Sequence, residues 1–216
     1  KRLIGSETAS TVCTRGIYAN DKVRGYVSAS DVNFPSWGQS TEKAWKALAP
    51  RPYMAGGVVG TGFDYRGEPT PYAWPCISSH FGGFDTCGFP KDNYWYYKAW
   101  WGKDPVLHLL PHWNDPLPSA KSVSVWAHTN CDEVELFLNG KSQGRRKVEP
   151  LGHAEWDVVY RPGVLSAKGY KEGALVAEDK VETTGRPASL RLEPFVTVLK
   201  ADGKDQVPIK VSVVDA

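Results

Sequence analysis

The sequence predicts a multi-domain chain, α/β at first and all-β afterwards, on three observations. Strand-like and helix-like apolar runs alternate through the opening half, a proline-rich stretch interrupts them from Gly102 to Ser119, and short period-two runs with glycine turns follow. These changes set the expected division. Residues 1–118 form an α/β portion, 119–186 a β-sandwich, and 187–216 the start of a second sandwich.

The first strand rests on Leu3 and Ile4, a short apolar run that small residues terminate at once. Glu7 falls where such a run ends, so it reads as a carboxylate on the carboxyl tip of a buried strand. A solvated loop acid has the same pattern, and on spacing alone that plainer reading is favoured. Residues 41–49 carry Ala44, Trp45 and Leu48 on one helical face behind a capping Ser or Thr. Pro50 and Pro52 end that helix. Tyr53 to Val59 reads as a second buried strand, with Gly56 and Gly57 permitting close backbone approach, and a second helix runs from about Asn93 to Trp101. Strand, helix, strand, helix is the order of the closing units of a (β/α)8 TIM barrel, and two units cannot close one.

Pro105, Pro111, Pro116 and Pro118 exclude a long helix and predict an extended linker strapped against the barrel units. Beyond it, Val123–Ala127 and Val134–Leu138 alternate with period two, the second running into Asn139-Gly140, a strong hairpin signal. Residues 156–160, 164–170 and 174–183 continue the series, and the spacing fits a small antiparallel sandwich. The run from Ala188 with Leu190, Leu192 and Val196 opens another, and the alternating Ile209–Val214 follows.

Composition excludes several functions. A 41% hydrophobic, 23% charged chain is ordinary for a globular protein, and a net charge of +2 is too small and too evenly spread for a nucleic-acid partner. No apolar run approaches the ~20 residues of a membrane-spanning helix, so no membrane partner is expected. Cys13, Cys76, Cys87 and Cys131 are too few and too irregular for a disulfide framework or a zinc site. Nine Trp and ten Tyr, most of them before residue 115, suit sugar stacking and equally suit an aromatic core.

Three motif-like patterns carry no chemistry. Gly140-Lys141-Ser142 lacks the preceding glycine of a phosphate loop, since Glu135 stands there. His108 and His112 have helical metal spacing, but Pro111 between them breaks the helix. Asp132, Glu133 and Glu135 read as a solvated strand face.

The segments Arg2 to Ser10, Arg51 to Pro69, Ser79 to Asp85 and Pro90 to Tyr97, taken together and in order, resemble the last quarter of the catalytic barrel in glycoside hydrolase family 2. This is the family of the large β-galactosidases, and the resemblance is closest to the type found in gut Bacteroidetes. It extends through nearly the whole chain. It implies that the sandwich is immunoglobulin-like and that Glu7 matches the nucleophile of a retaining exo-β-glycosidase. The partner acid/base in this family lies in an Asn-Glu pair on an earlier strand, and this sequence has no Asn-Glu dipeptide. The proton shuttle is therefore expected elsewhere in a longer parent protein, as both abrupt chain ends also lead one to expect, and this stretch by itself should not turn over a glycoside.

The resemblance further implies a carbohydrate partner, a β-galactoside, together with the remainder of the parent chain, and it is compatible with a homo-oligomer and a periplasmic or secreted location. No cofactor is needed for the nucleophilic step, and no metal ligands can be assigned. Asp64, Tyr65 and Arg66 follow the eighth-strand position and are candidate sugar contacts, although Asp64 and Arg66 could instead pair with each other or with loop backbone. Trp74 and His80, on the long loop that follows, could line the pocket rim or serve the core. Gly60 departs from the pattern, because family members usually carry a Trp there that floors the sugar pocket, and Val58 stands where an aromatic is common. Two other readings stay open: another sugar, such as a glucuronide or mannoside, and a degenerate, non-catalytic glycan-binding protein.

Overall fold

A computed structural model describes residues 2–115, 117 and 121–216. The chain divides into a unit of residues 1–182 and a unit of residues 183–216. The first unit opens with two parallel strands, β1 (Leu3–Thr8) and β2 (Met54–Val59), each followed by a helix, α1 (Thr41–Leu48) and α2 (Asp92–Trp101). Gly5 lies opposite Gly57 in the register, and Ile4 opposite Gly56, so the backbones meet without intervening side chains.

Helix α1 begins where the sequence placed it. Ser40 is the N-cap and its hydroxyl accepts from the Lys43 N–H at 3.2 Å, while the buried Asp31 takes the Thr41 and Glu42 N–H groups at 2.7 and 2.9 Å. Three of the donors that a helix start leaves open are thus met by side chains. Burial raises the Asp31 carboxyl above its ordinary pKa, and the hydrogen bonds from Glu42 and Thr41 offset only part of that.

The expected burial of the two strands differs from what is found. Leu3 and Ile4 are 57% and 63% exposed and Val58 is 52% exposed, because the described residues cover only part of the β1–β2 pair. Cover comes instead at the carboxyl ends of the strands. There the connection of residues 9–40 and that of residues 60–91 knit together through Cys13 N–H to the His80 carbonyl (2.9 Å), around a small core of Val12, Val27 and Phe81 with Tyr72 against it.

The sandwich pairs a three-stranded sheet, β3 (Leu107–Leu110), β4 (Val123–Thr129) and β7 (Ala154–Val158), with a four-stranded one. The latter runs in the order β6 (Lys141–Lys147), β5 (Glu133–Leu138), β8 (Val164–Lys171), β9 (Ala174–Glu182), and all its pairings are antiparallel. Alternate residues Val123, Val125 and Ala127, with Trp156 beside them on β7, face Val134, Leu136, Leu138, Leu165 and Ala167, and all are buried. Asn139 and Gly140 turn β5 into β6 with φ of 50° and 78°, the two left-handed positions of a tight hairpin.

The proline-rich segment is a correction to the expected linker. Its middle, β3, hydrogen-bonds along β4 and sends Leu107, Leu109 and then Trp113 into the sandwich core. Prolines flank a strand that the breakers had hidden. Pro116, Pro118 and Ser119, which the linker also included, lie outside the described residues. The strand expected at 156–160 lies two residues earlier, at 154–158, with Ala154, Trp156 and Val158 inward. In the second unit, β10 (Ser189–Pro194) and β11 (Ile209–Val214) form one antiparallel hairpin, with Leu190 and Leu192 exposed.

Candidate active site

Glu7 is the penultimate residue of β1, at the carboxyl end of the parallel pair, and its side chain is exposed. Ser10 Oγ donates to Glu7 Oε1 at 3.4 Å. A groove of about 440 Å³ opens beside it, lined by Ser10, Trp37, Gln39 and the inner face of α1. Gly60, at the end of β2, presses on the same side chain: a Cβ there would lie 2.9 Å from Glu7 Cγ. Any residue larger than glycine has to move the carboxylate. The sequence departure at position 60 is therefore matched by where Glu7 sits.

Asp64 points away from solvent. Lys91 Nζ donates to it at 2.7 Å and the Gly82 N–H at 2.9 Å, while Lys91 also donates to the carbonyls of Cys13 (2.8 Å) and His80 (3.1 Å). The Lys91 side chain is fully buried. Burial pushes the Asp64 carboxyl upward, and the Lys91 ammonium only partly offsets it. Of the two structural partners weighed from sequence, Arg66 is not one, since it lies exposed on a bridge to Ser78, whereas loop backbone is, through the Gly82 N–H; the charged partner is Lys91, which the sequence did not suggest. No pattern in the sequence marks Lys91 as a buried cation, because its partners are spread from residue 13 to residue 80.

Tyr65 donates through its hydroxyl to Glu68 Oε2 at 2.5 Å, and that hydrogen bond, with smaller contributions from burial and Glu7, raises the phenol to about 12. The Tyr65–Glu68 contact joins groups three residues apart on the loop after β2, and nothing in the sequence marked Glu68. His80 is buried, with ring nitrogens 3.2 Å from the Thr70 carbonyl and 2.9 Å from the Gly25 carbonyl. Trp74 is 84% exposed on the same loop. The predicted residues thus fall into two sets: Glu7 with Tyr65 at the strand ends, and Asp64 with His80 in the support beneath the loops.

The sandwich braces this layer. Asp92, at the start of α2, accepts from Tyr18 of the first loop and pairs with His108 of β3, each at 2.7 Å. His153 Nδ1 meets Glu42 of α1 at 2.5 Å and its ring stacks on Trp126 with centroids 4.0 Å apart. His108, read from sequence as half of a false metal pair, belongs to the first brace. All four cysteines are free thiols, and burial pushes Cys13 up to about 12.

A family model described as a domain of unknown function, DUF4982, matches residues 120–177, most of the sandwich. A β-galactosidase of Bacteroides ovatus is 40% identical across the whole chain, which covers 27% of that protein. A putative β-glucuronidase of Formosa agariphila is 36% identical over 76% of the chain and 16% of its own length. Among solved structures, a β-glycosidase from Bacteroides vulgatus superposes with a TM-score of 0.88 at 30% identity, over 98% of this chain and 31% of that one. A glycosyl hydrolase family 2 member from Bacteroides cellulosilyticus superposes with a TM-score of 0.73 at 26% identity, over 82% of this chain and 28% of that one. The chain spans less than a third of the length of each of these relatives.

Proposed function

The chain belongs to glycoside hydrolase family 2 of the Bacteroidetes type, and from that premise we propose that it is the closing part of a retaining exo-β-glycosidase acting on terminal β-galactosides. The observation that carries the reading is the position of Glu7: an exposed carboxylate at the carboxyl end of a parallel βαβα pair, where barrel enzymes hold their chemistry. In this reading β1 and β2 are the last two strands of a (β/α)8 barrel, and the rest of the parent chain covers Leu3, Ile4 and Val58.

Retaining hydrolysis is a double displacement between carboxyl groups ~5–5.5 Å apart. Glu7 attacks the anomeric carbon as the leaving group takes a proton from the acid/base Glu, which the parent chain supplies. Water then cleaves the glycosyl ester, its proton returning to that same Glu. Ser10 hydrogen-bonds the Glu7 carboxylate, and Gly60 leaves the room that its side chain occupies. The immunoglobulin-like sandwich holds the loop layer through Asp92–His108 and Glu42–His153. Asp64 and His80 act in this scheme as supports of the sugar-facing loops, and Tyr65 and Arg66 as the groups that reach substrate, with Trp74 exposed further along the same loop.

The test is on the full-length protein, incubated with a 2-fluorinated galactoside that traps the glycosyl ester and mapped by peptide mass spectrometry. A label on Glu7 supports the reading, and Glu7→Gln then loses at least ~10³-fold in kcat. A folded protein that binds galactose and takes no label overturns it and favours the glycan-binding descendant, for which the missing side chain at Gly60 speaks. Comparison of kcat/KM for galactoside and glucuronide separates the two sugars named by the relatives.

A further inference from the structure

A second groove, of about 440 Å³, lies between the turn at residues 21–26 and the loop at residues 69–76, and Glu7 is not part of it. Lys22 and Arg24 line one wall and Pro71, Tyr72, Trp74 and Pro75 the other. We propose that this groove binds an anionic saccharide unit, carboxylated or sulfated, with Trp74 as the stacking surface and Lys22 and Arg24 as the charged partners. The choice of a saccharide rests on the glycosidase reading above.

The groove has fixed walls. Asp21 and Tyr26 close the turn with reciprocal backbone hydrogen bonds of 2.9 and 2.8 Å, and the Asp21 carboxylate takes the Val23 and Arg24 N–H groups at 3.0 Å each. The facing wall is pinned to it twice: the Tyr72 hydroxyl donates to the Tyr26 carbonyl at 2.6 Å, and the buried His80 ring spans the carbonyls of Gly25 and Thr70. The walls also touch at the bottom, where Gly25, with φ of 69°, leaves room for Cys76 Sγ; a Cβ there would sit 3.0 Å from it. A site with such walls loses little entropy when a ligand enters.

Its chemistry is one-sided. Trp74 is 84% exposed, and an indole face is a stacking surface for the C–H face of a sugar ring. Among the described residues no carboxylate is in the lining, and the nearest, Asp21, is turned to the Val23 and Arg24 N–H groups of the turn. Lys22 has no ion pair among the described residues, and Arg24 is only loosely engaged, 3.6 Å from Asp21 at an exposed position. Two incompletely neutralised cations beside an aromatic face favour a ligand that brings a flat apolar surface and negative charge together. Both walls come from the loops at the carboxyl ends of β1 and β2, the side on which Glu7 lies and on which barrel enzymes bind substrate.

The experiment is isothermal titration of the full-length Glu7→Gln protein, which cannot complete turnover, with digalacturonate, galactose 6-sulfate and the neutral galactobiose. At least one anionic probe should bind about tenfold more tightly than galactobiose, and which one does so separates carboxylate from sulfate recognition. Trp74→Ala and the double variant Lys22→Gln/Arg24→Gln should each remove that advantage; these side chains are exposed, so folding is not at stake. Equal affinity for charged and neutral probes, anion binding that survives both variants, or displacement by sodium sulfate alone with no contribution from Trp74 overturns the proposal. Binding is read without turnover, so the groove can fail while Glu7 of the unsubstituted protein takes a covalent label, and it can stand while Glu7 does not.

Discussion

The sandwich and the parallel strand pair use similarly short strands and opposite treatments of their apolar side chains. In the sandwich, Val125, Leu136, Leu165 and Trp156 are all at or below 2% exposure, each sheet covering the other. In the β1–β2 pair, Leu3 and Ile4 are more than half exposed, and order is imposed by glycine-lined backbone contact and by polar bonds in the loops above. The first region is stable through burial within its own sequence. The second is organised by a buried ion pair and hydrogen-bonded loops, and its apolar faces stay exposed among the described residues.

The largest expected effect lies in the sandwich. Trp156→Ala removes a fully packed indole and its hydrogen bond to the Gly144 carbonyl, and should cost about 3–5 kcal/mol in denaturant unfolding. A similar loss, about 3–5 kcal/mol, is expected for Lys91→Met, because Asp64 is left buried without its cation. The double variant Lys91→Met/Asp64→Leu should recover much of that loss. If it does not, the loop layer is held by packing like the sandwich, and the contrast between the regions collapses.

A smaller effect tests how the two regions join. Burial alone would raise the pKa of Glu42, but hydrogen bonds from His153 and Lys46 outweigh it and hold the carboxyl below its ordinary value. A depressed folded pKa means that the stabilisation is present above the unfolded carboxylate pKa and is lost as pH falls through the folded one. Thermal unfolding followed from neutral pH down through the carboxylate range should therefore lose about 1 kcal/mol at this pair, and Glu42→Gln should flatten that part of the profile. The smallest effect belongs to the uncovered strands. Leu3→Ser and Ile4→Ser should shift the stability of this chain by about 0.5 kcal/mol or less, yet destabilise the full-length protein strongly. Equal effects in both would mean that nothing covers β1.

Local rules were enough wherever the stabilising partner lay close in sequence. Ser40 three residues before Lys43 set the start of α1, Asn139-Gly140 set the hairpin, and the alternation around Val125, Leu136 and Leu165 set which faces turn inward. The end of the first apolar run also put Glu7 at a strand tip. Strand β3 was obscured because prolines read as linker, although its Leu107 and Leu109 already alternate; only pairing with β4 makes it a strand.

What the sequence by itself determined, then, is the order of the elements other than β3, the two-sheet pattern and the placing of Glu7 at a strand tip, since each depends on periodicity or on groups a few residues apart; its reading as a nucleophile came from the family resemblance. Only the tertiary structure decided that Asp64 faces Lys91 rather than Arg66, that His80 ties Gly25 to Thr70, and that Gly60 yields its space to Glu7. Those contacts join residues from 10 to 55 positions apart, and their partners are chosen by how two long loops fold over one another. No local preference encodes that choice.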